Sequence, residues 1–284
     1  MKKLGVAISV YNKSNDVMTN VDIIRNHWED NNDSFVSVCC NDPGSVSKIK
    51  ELNVDIVVEG EDIQYLRKPD KRMRIFDCIE KSILACESEF IIHYHADAYA
   101  LSSSSIFELI DQMEENNVHV AFRGRGTDYR TAKCIHGDVD DHFIIFRRSE
   151  IEKRDFFNIG NGRLGITRQQ YFEVGNPESF LSYLIKSSFS EEEIYFYSNM
   201  EQNIVEIGEK EDSFYPDNVP HRNANPYNID EKRKFLHIGD PTMTRDTLLQ
   251  YGVPNEMIHT VQKIVIHKPE PRENPSHVEE WINE

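Results

Sequence analysis

Apolar residues enter the chain in short blocks separated by polar clusters. Leu4 to Val10 (LGVAISV) is apolar, rich in β-branched residues, and stops at Asn12-Lys13-Ser14-Asn15-Asp16. A run of that length with a polar boundary reads as a buried strand. Val17, Val21, Ile24 and Trp28 then recur at helical spacing and predict a helix over 17–28. Ser34 to Cys40 (SFVSVCC) predicts a second strand, closed by the turn signal Asn41-Asp42-Pro43-Gly44-Ser45. Val46, Ile49 and Leu52 mark a short helix, and Asp55 to Val58 a third strand.

The alternation continues. Arg72 to Cys86 carries Phe76, Ile79, Ile83 and Leu84 at core spacing, and Glu89 to His93 (EFIIH) is a fourth strand running into His95-Ala96-Asp97. Ile106 to Met113 is helical again, and His119 to Phe122 and His142 to Phe146 have strand length. The β–α alternation predicts an α/β fold with a largely parallel sheet covered on both faces. Ligands of such sheets bind outside the carboxyl ends of the strands, where Tyr11-Asn12, Asn41-Asp42 and His95–Asp97 fall.

Past Arg148 the pattern is less regular. Pro177 to Lys186 reads as a helix. Residues 210–235 are polar, contain Pro216, Pro220 and Pro226, and read as a loop or flap. The last seventeen residues, 268–284, read as an extended tail holding Pro269, Pro271 and Pro275. The expected organisation is a main domain over 1–209, with a nucleotide-binding half to about residue 100 and an acceptor half after it. A closing segment over 210–267 and the tail complete it.

Composition narrows the function. The 284 residues hold 49 acidic against 32 basic side chains, a net charge of −17, which argues against a nucleic-acid partner. A small nucleotide remains compatible, because a cation or a few basic groups can neutralise a diphosphate locally. The five cysteines show no C-x-x-C spacing, and an odd count with an adjacent pair suits a reducing compartment, so a cytoplasmic setting is expected. No signal or transmembrane segment is legible.

Three constellations carry chemistry. Asp97, two residues after His95 at a strand end, could hold a divalent cation; carboxylate suits Mg²⁺ and Mn²⁺, and imidazole suits Mn²⁺ better. Asp97 could equally cap the following turn. Asp42 at the end of the second strand is either a turn former or an acceptor for a base or ribose donor. Arg72, Arg74 and Asp77, read as the start of a helix, suit a phosphate if the helix N-terminus adds its amides, and are otherwise a solvated surface.

Taken together, these segments resemble one family. Ile8-Ser9-Val10-Tyr11-Asn12-Lys13 resembles the opening I-P-x-Y-N strand of family-2-type glycosyltransferases with the GT-A (Rossmann-like) fold. Asn41–Ser45 resembles their D-D-G-S turn, and the helix from Arg74 with Glu89-Phe90-Ile91-Ile92 resembles the segment leading into their D-x-D metal motif. Phe146-Arg147-Arg148-Ser149-Glu150 resembles a later R-R-E segment, so the likeness covers roughly residues 4–185.

The resemblance implies a transferase using a nucleoside-diphosphate sugar, UDP-linked in preference to GDP-linked, with a glycan or other hydroxyl acceptor, as in polysaccharide biosynthesis. It implies Mn²⁺ or Mg²⁺ as cofactor, and a homodimer is open as the assembly. Val10, Tyr11 and Asn12 would contact the nucleoside, Asp42 the base, and Arg74 or Asp77 the nucleotide, with His95 and Ala96 beside it. Asp97 would hold the metal, with His95, which departs from D-x-D, and His237 as further ligands.

An inverting transfer also needs a general base, for which Asp140, Asp141 and Glu178 stand open; a retaining transfer needs none of them. Two other readings compete. One is a non-catalytic nucleotide-sugar-binding homologue. The other is a sugar-phosphate nucleotidyltransferase, disfavoured because no Gly-rich, Arg-containing loop follows the first strand.

Overall fold

A computed structural model describes residues 2–11, 13–26, 28–29, 33–96, 98–100, 103–124, 139–161, 167–173, 175–199, 224–227 and 235–238. Its frame is a seven-stranded sheet. The strands are β1 (Lys2–Val10), β2 (Phe35–Cys40), β3 (Ile56–Glu59), β4 (Ser88–His95), β6 (Val120–Gly124), β7 (Val139–Arg147) and β8 (Ile194–Asn199), in the order β3-β2-β1-β4-β7-β6-β8. Six strands run parallel; β7 is antiparallel to both neighbours. The fold is α/β with a mostly parallel sheet, as the alternation predicts.

Side-chain alternation divides the core in two. On one face, Val6, Ile8, Val38, Ile92 and Ile145 pack under α1 (Ser14–Asn26), α2 (Pro43–Lys50) and α4 (Ser103–Glu115). On the other, Ala7, Ile91, Ile144 and Phe146 pack under α3 (Lys68–Ala85), α5 (Arg148–Lys153), α6 (Arg168–Phe172) and α7 (Pro177–Ser188). Strand residues are thus apolar on both faces, which is why the sequence shows unbroken apolar runs rather than alternation.

Helix starts follow local chemistry. Asp42 caps α2, its Oδ1 accepting the Ser45 N–H at 2.8 Å, with Pro43 in the first turn. Pro69 opens α3, which begins at Lys68 rather than at Arg72. Glu29 caps α4 from a distance in sequence, its Oε2 accepting from the Ser103 N–H and hydroxyl at 3.0 and 2.9 Å.

The second half departs from expectation at one strand. Residues 224–227, inside the stretch read as loop, form β9 (Ala224–Tyr227). β9 joins β10 (Phe235–Ile238) and β5 (Ala98–Ala100) in a three-stranded antiparallel sheet ordered β5-β10-β9. Glu191–Glu193 is a single 3₁₀ turn whose last residue is tied down. Arg154 spans Glu150 and Glu193, at 2.9 and 2.5 Å, and also donates to the Ser188 carbonyl. The tail 268–284 lies outside the described residues.

That ion pair gives a pH prediction. The Arg154 guanidinium, with the Ser190 N–H, holds the Glu193 carboxyl down to about 2. Its folded value is depressed, so its contribution is complete above the ordinary value near 4.5 and is lost as pH falls from there toward 2. Denaturation midpoints measured from pH 6 to pH 2 should fall in that window, and Glu193→Gln should flatten this component of the slope.

Candidate functional site

The site forms where β1, β2 and β4 end together. Ser9 lies across from His95 and from Cys39 in the parallel registers, so the residues that follow these strands emerge at one sheet edge. A cleft of about 240 Å³ opens there. Ser9, Val10 and Ala96 form its floor, and Ile75 and Cys78 of α3 one wall. Tyr11, Lys13, Asn41 and His95 contribute the polar lining. Burial pushes the Cys78 thiol well above its ordinary value, so it meets the cleft uncharged.

The floor is fixed by hydrogen bonds between strand ends. The Ala96 N–H donates to Ser9 O at 3.0 Å and the Asn41 N–H to Val10 O at 3.0 Å. Asn41 is buried, and its Nδ2 donates to Arg74 O at 3.1 Å, joining β2 to α3. Asn20, 1% exposed on α1, donates from Nδ2 to Ala96 O at 2.7 Å. Trp28 Nε1 donates to Ala100 O at 2.8 Å. The chain is therefore held on both sides of position 97, by Asn20 of α1 before it and by Trp28, just past that helix, after it.

Several sequence-predicted residues converge here. Val10, Tyr11, His95 and Ala96 line the cleft. Val10 points its side chain into the core and offers the site its backbone. Tyr11 is half-buried, with Lys71 Nζ 5.6 Å from its ring centroid. Asp42 follows Asn41 at the rim, and one of its oxygens serves the α2 cap. Asn12 and Asp97 lie outside the described residues.

Other predicted residues stand differently. With α3 starting at Lys68, Arg74 and Asp77 sit in its second and third turns, not at its N-terminus. The helix dipole acts over about one turn, so it does not reach them. Arg74 is also neutralised by Glu61 and Asp77, at 2.8 and 2.9 Å, while Asp77 is shared with Arg168 at 3.3 Å. Asp140 and Asp141 belong to the first residues of antiparallel β7, which places their backbone at the same sheet edge as His95. Glu178 is the second residue of α7. The side chains of these three residues lie outside the description.

His237 pairs through its backbone with Ala98, the residue after Asp97. The β5–β10 ladder thus returns a distant histidine to the strand end next to Asp97. Imidazole, carboxylate and imidazole form a donor set suited to Mn²⁺, and the His95 ring is already steadied by a Ser9 Oγ contact at 3.1 Å. Of the three, only the His95 side chain is described, and the described residues hold no group of three or more metal-ligating side chains.

Sequence reasoning missed Asn20, His93, Lys13 and Lys71 as parts of this site. Asn20 did carry a signal: a polar residue one turn from Val17 and Ile24, on the stripe that faces the core. His93 is fully buried beside Ile92 and Tyr94, a polar residue inside an apolar strand.

No protein-family model and no curated protein matches the chain. Solved structures give distant likenesses. A mannosyltransferase from Pyrobaculum calidifontis, in complex with GDP-Man and Mn²⁺, is 13% identical, covering 68% of this chain and 54% of that one at a TM-score of 0.43. The glycosyltransferase GlyE of Streptococcus pneumoniae is 11% identical, covering 99% of this chain and 63% of its own at 0.44. A CMP-2-keto-3-deoxy-manno-octonic acid synthetase complexed with CTP is 9% identical, covering 69% and 89% at 0.39. The chain thus spans under two thirds of the length of the first two. Among the described residues, no helix is long and apolar enough to cross a membrane.

Proposed function

We propose that this chain is a GT-A glycosyltransferase that moves a sugar from a nucleoside-diphosphate sugar to a glycan or other hydroxyl acceptor, with Mn²⁺ or Mg²⁺ as cofactor. The observation that carries the reading is the convergence of Tyr11, Asn41 and His95 on one cleft at the carboxyl ends of β1, β2 and β4. That is the edge where an open α/β sheet binds nucleotides. The motifs that resemble the family supply these same residues.

In this reading Tyr11 gives the nucleoside an aromatic edge, and Asp42 accepts from base or ribose. Lys13 and Lys71 bring positive charge to the mouth of a cleft in an otherwise acidic protein. Asp97, His95 and His237 hold the cation, which when bound offsets the charge building on the leaving diphosphate. Asp140, Asp141 or Glu178 takes the proton of the acceptor hydroxyl as it attacks the anomeric carbon. The β7 position of Asp140 and Asp141 favours that pair over Glu178.

Thermal shift with UDP, GDP and CDP, each with and without Mn²⁺, tests this. One diphosphate, UDP first and GDP second, should raise the melting temperature only when Mn²⁺ is present. At a hundredfold excess over Kd the stabilisation should be about 2.7 kcal/mol. Silence toward all three nucleotides sinks the reading. Hydrolysis of the matching nucleotide sugar should then be abolished by Asp97→Ala. Nucleotide binding without any turnover would instead identify a binding-only homologue.

A further inference from the structure

Under the cleft floor, on the α3 side of the sheet, one hydroxyl serves two histidines. Ser9 Oγ lies 3.1 Å from His95 Nδ1 and 3.3 Å from His93 Nε2. The two rings stand nearly perpendicular, their centroids 5.5 Å apart. Ser9 is 4% exposed and His93 is fully buried, while His95 reaches the cleft. The parallel register of β1 and β4 builds the arrangement: Ser9 pairs with His95 and Ala7 with His93, so alternate residues of both strands point to the same face. Ala7, with no side-chain bulk opposite His93, leaves that ring room to reach Ser9.

A serine hydroxyl carries one hydrogen and accepts through its lone pairs. It can donate to one imidazole nitrogen and must then accept an N–H from the other. If Ser9 donates to His95 Nδ1, His93 must donate from Nε2, and both neutral rings carry their proton on Nε2. If His95 donates from Nδ1, Ser9 donates to His93 Nε2, and both rings carry their proton on Nδ1. Mixed pairings leave either two bare nitrogens sharing one hydrogen, or two ring N–H groups on the oxygen while the hydroxyl hydrogen has no acceptor among the described residues, the two imidazoles being the partners of Ser9 Oγ. Each mismatch strands a buried polar group, at a cost of roughly 1–3 kcal/mol.

We propose that Ser9 locks His93 and His95 into matching tautomers, so that buried His93 sets whether His95 turns an N–H or a bare nitrogen toward the cleft. Ser9 and His93 are then positioning residues acting through His95. A bare Nε2 suits a divalent cation, whereas an Nε2–H suits a diphosphate oxygen; the linkage makes that choice a property of the pair. This consequence rests on the reading of the cleft as a nucleotide-sugar site, but the tautomer linkage itself does not.

Long-range ¹H–¹⁵N correlation spectra of the full chain labelled with ¹⁵N-histidine test it, because protonated and bare ring nitrogens resonate far apart. Assignment among the eleven histidines can use His95→Gln for one ring and His93→Gln for the other. In the unsubstituted protein both rings should show the proton on the same-named nitrogen. Ser9→Ala, a small change on a small buried residue, should release His95 into a tautomer mixture with its folded spectrum retained, and Ser9→Thr should restore the matched state.

Opposite tautomers in the unsubstituted protein, a doubly protonated ring, or a His95 ring unaffected by Ser9→Ala would overturn the linkage. If Ser9→Ala failed to fold, the match or mismatch in the unsubstituted spectrum would still decide. Adding MgCl₂ with UDP separates the two readings. A joint shift of both rings supports the linkage and the site together. Matched rings that ignore both additions uphold the linkage and count against the nucleotide-sugar reading.

Discussion

Gly60→Ala should destabilise the protein by about 1–3 kcal/mol and loosen the cleft, although position 60 does not line it. A Cβ at Gly60 would come within 2.0 Å of Asn41 Oδ1 and 3.0 Å of Cys40 O. The Gly60 N–H donates to Cys40 O at 2.7 Å, so the backbone itself is drawn against the end of β2 and cannot back away cheaply. Asn41 is buried and bonded to Arg74 O, so moving its side chain breaks the tie between β2 and α3. The nearest atoms belong to the Asn41 side chain, but Cys40 O at 3.0 Å is backbone, so part of the crowding has no flexible partner to absorb it. Urea titrations should show a lower midpoint with an unchanged slope. Gly44→Ala is the control: its Cβ would meet only Asp42 Oδ1, at an ordinary 3.5 Å, on an exposed helical turn. It should be neutral or slightly stabilising. If Gly60→Ala proved as harmless as Gly44→Ala, Asn41 would not be the rigid part of the site described above.

The fold was legible to the extent that local pattern carries it. The strands at 4–10 and 34–40 are continuous apolar runs because both sheet faces are covered, and the structure keeps them within a residue or two. The antiparallel direction of β7 is a different matter. Two strand-length runs, 119–122 and 142–146, follow one another without a helical pattern between them, which is the mark of neighbours that need no crossover. Apolar spacing starts the helix at Arg72 because the first turn of 68–85 holds no large apolar residue; Pro69 is the better boundary signal. Trp28 looked like the last turn of α1, yet it lies past the helix end and donates its indole N–H to Ala100. Apolar spacing alone cannot separate a helical residue from one that folds back onto the same core.

The site was legible as three strand ends but not as a connected object. Asp42, His95 and Tyr11 stand out in sequence because they interrupt apolar runs. What joins them is hydrogen bonding between residues far apart in the chain: Asn20 to Ala96, Asn41 to Arg74, Ser9 to two histidines. Nothing in local composition encodes those pairings. The approach of His237 to Ala98 depends likewise on strand pairing across more than a hundred residues.

Asn20→Asp should be the more damaging substitution, costing roughly 3–5 kcal/mol at neutral pH, because it reverses a donor while hardly changing shape. Asn20 Nδ2 donates at 2.7 Å to Ala96 O and at 3.3 Å to Asp16 O. An ionised carboxylate there would face two carbonyl oxygens with no proton to offer, at a position 1% exposed. Asn20 Oδ1 has no hydrogen-bond partner among the described residues, so no donor waits to receive the new oxygen. The carboxyl can escape by keeping its proton and donating it to Ala96 O, which raises its folded value above the ordinary 3.9 or so. The folded variant then binds more protons than the unfolded chain, so its stability falls as pH rises through that interval and levels off above the folded value. Relative to the unsubstituted protein, the deficit should therefore be largest near neutrality and shrink toward pH 4. Asn20→Leu lacks the titrating group and should show a smaller deficit that does not change with pH. The same pair of variants reads the functional link, since Ala96 O sits between His95 and Asp97. Where enough protein remains folded, both should weaken Mn²⁺-dependent nucleotide stabilisation more than a substitution at Met18, which lies exposed on the same helix. A pH-independent deficit for Asn20→Asp, or nucleotide responses equal to those of the Met18 variant, would show that Asn20 does not hold the end of β4.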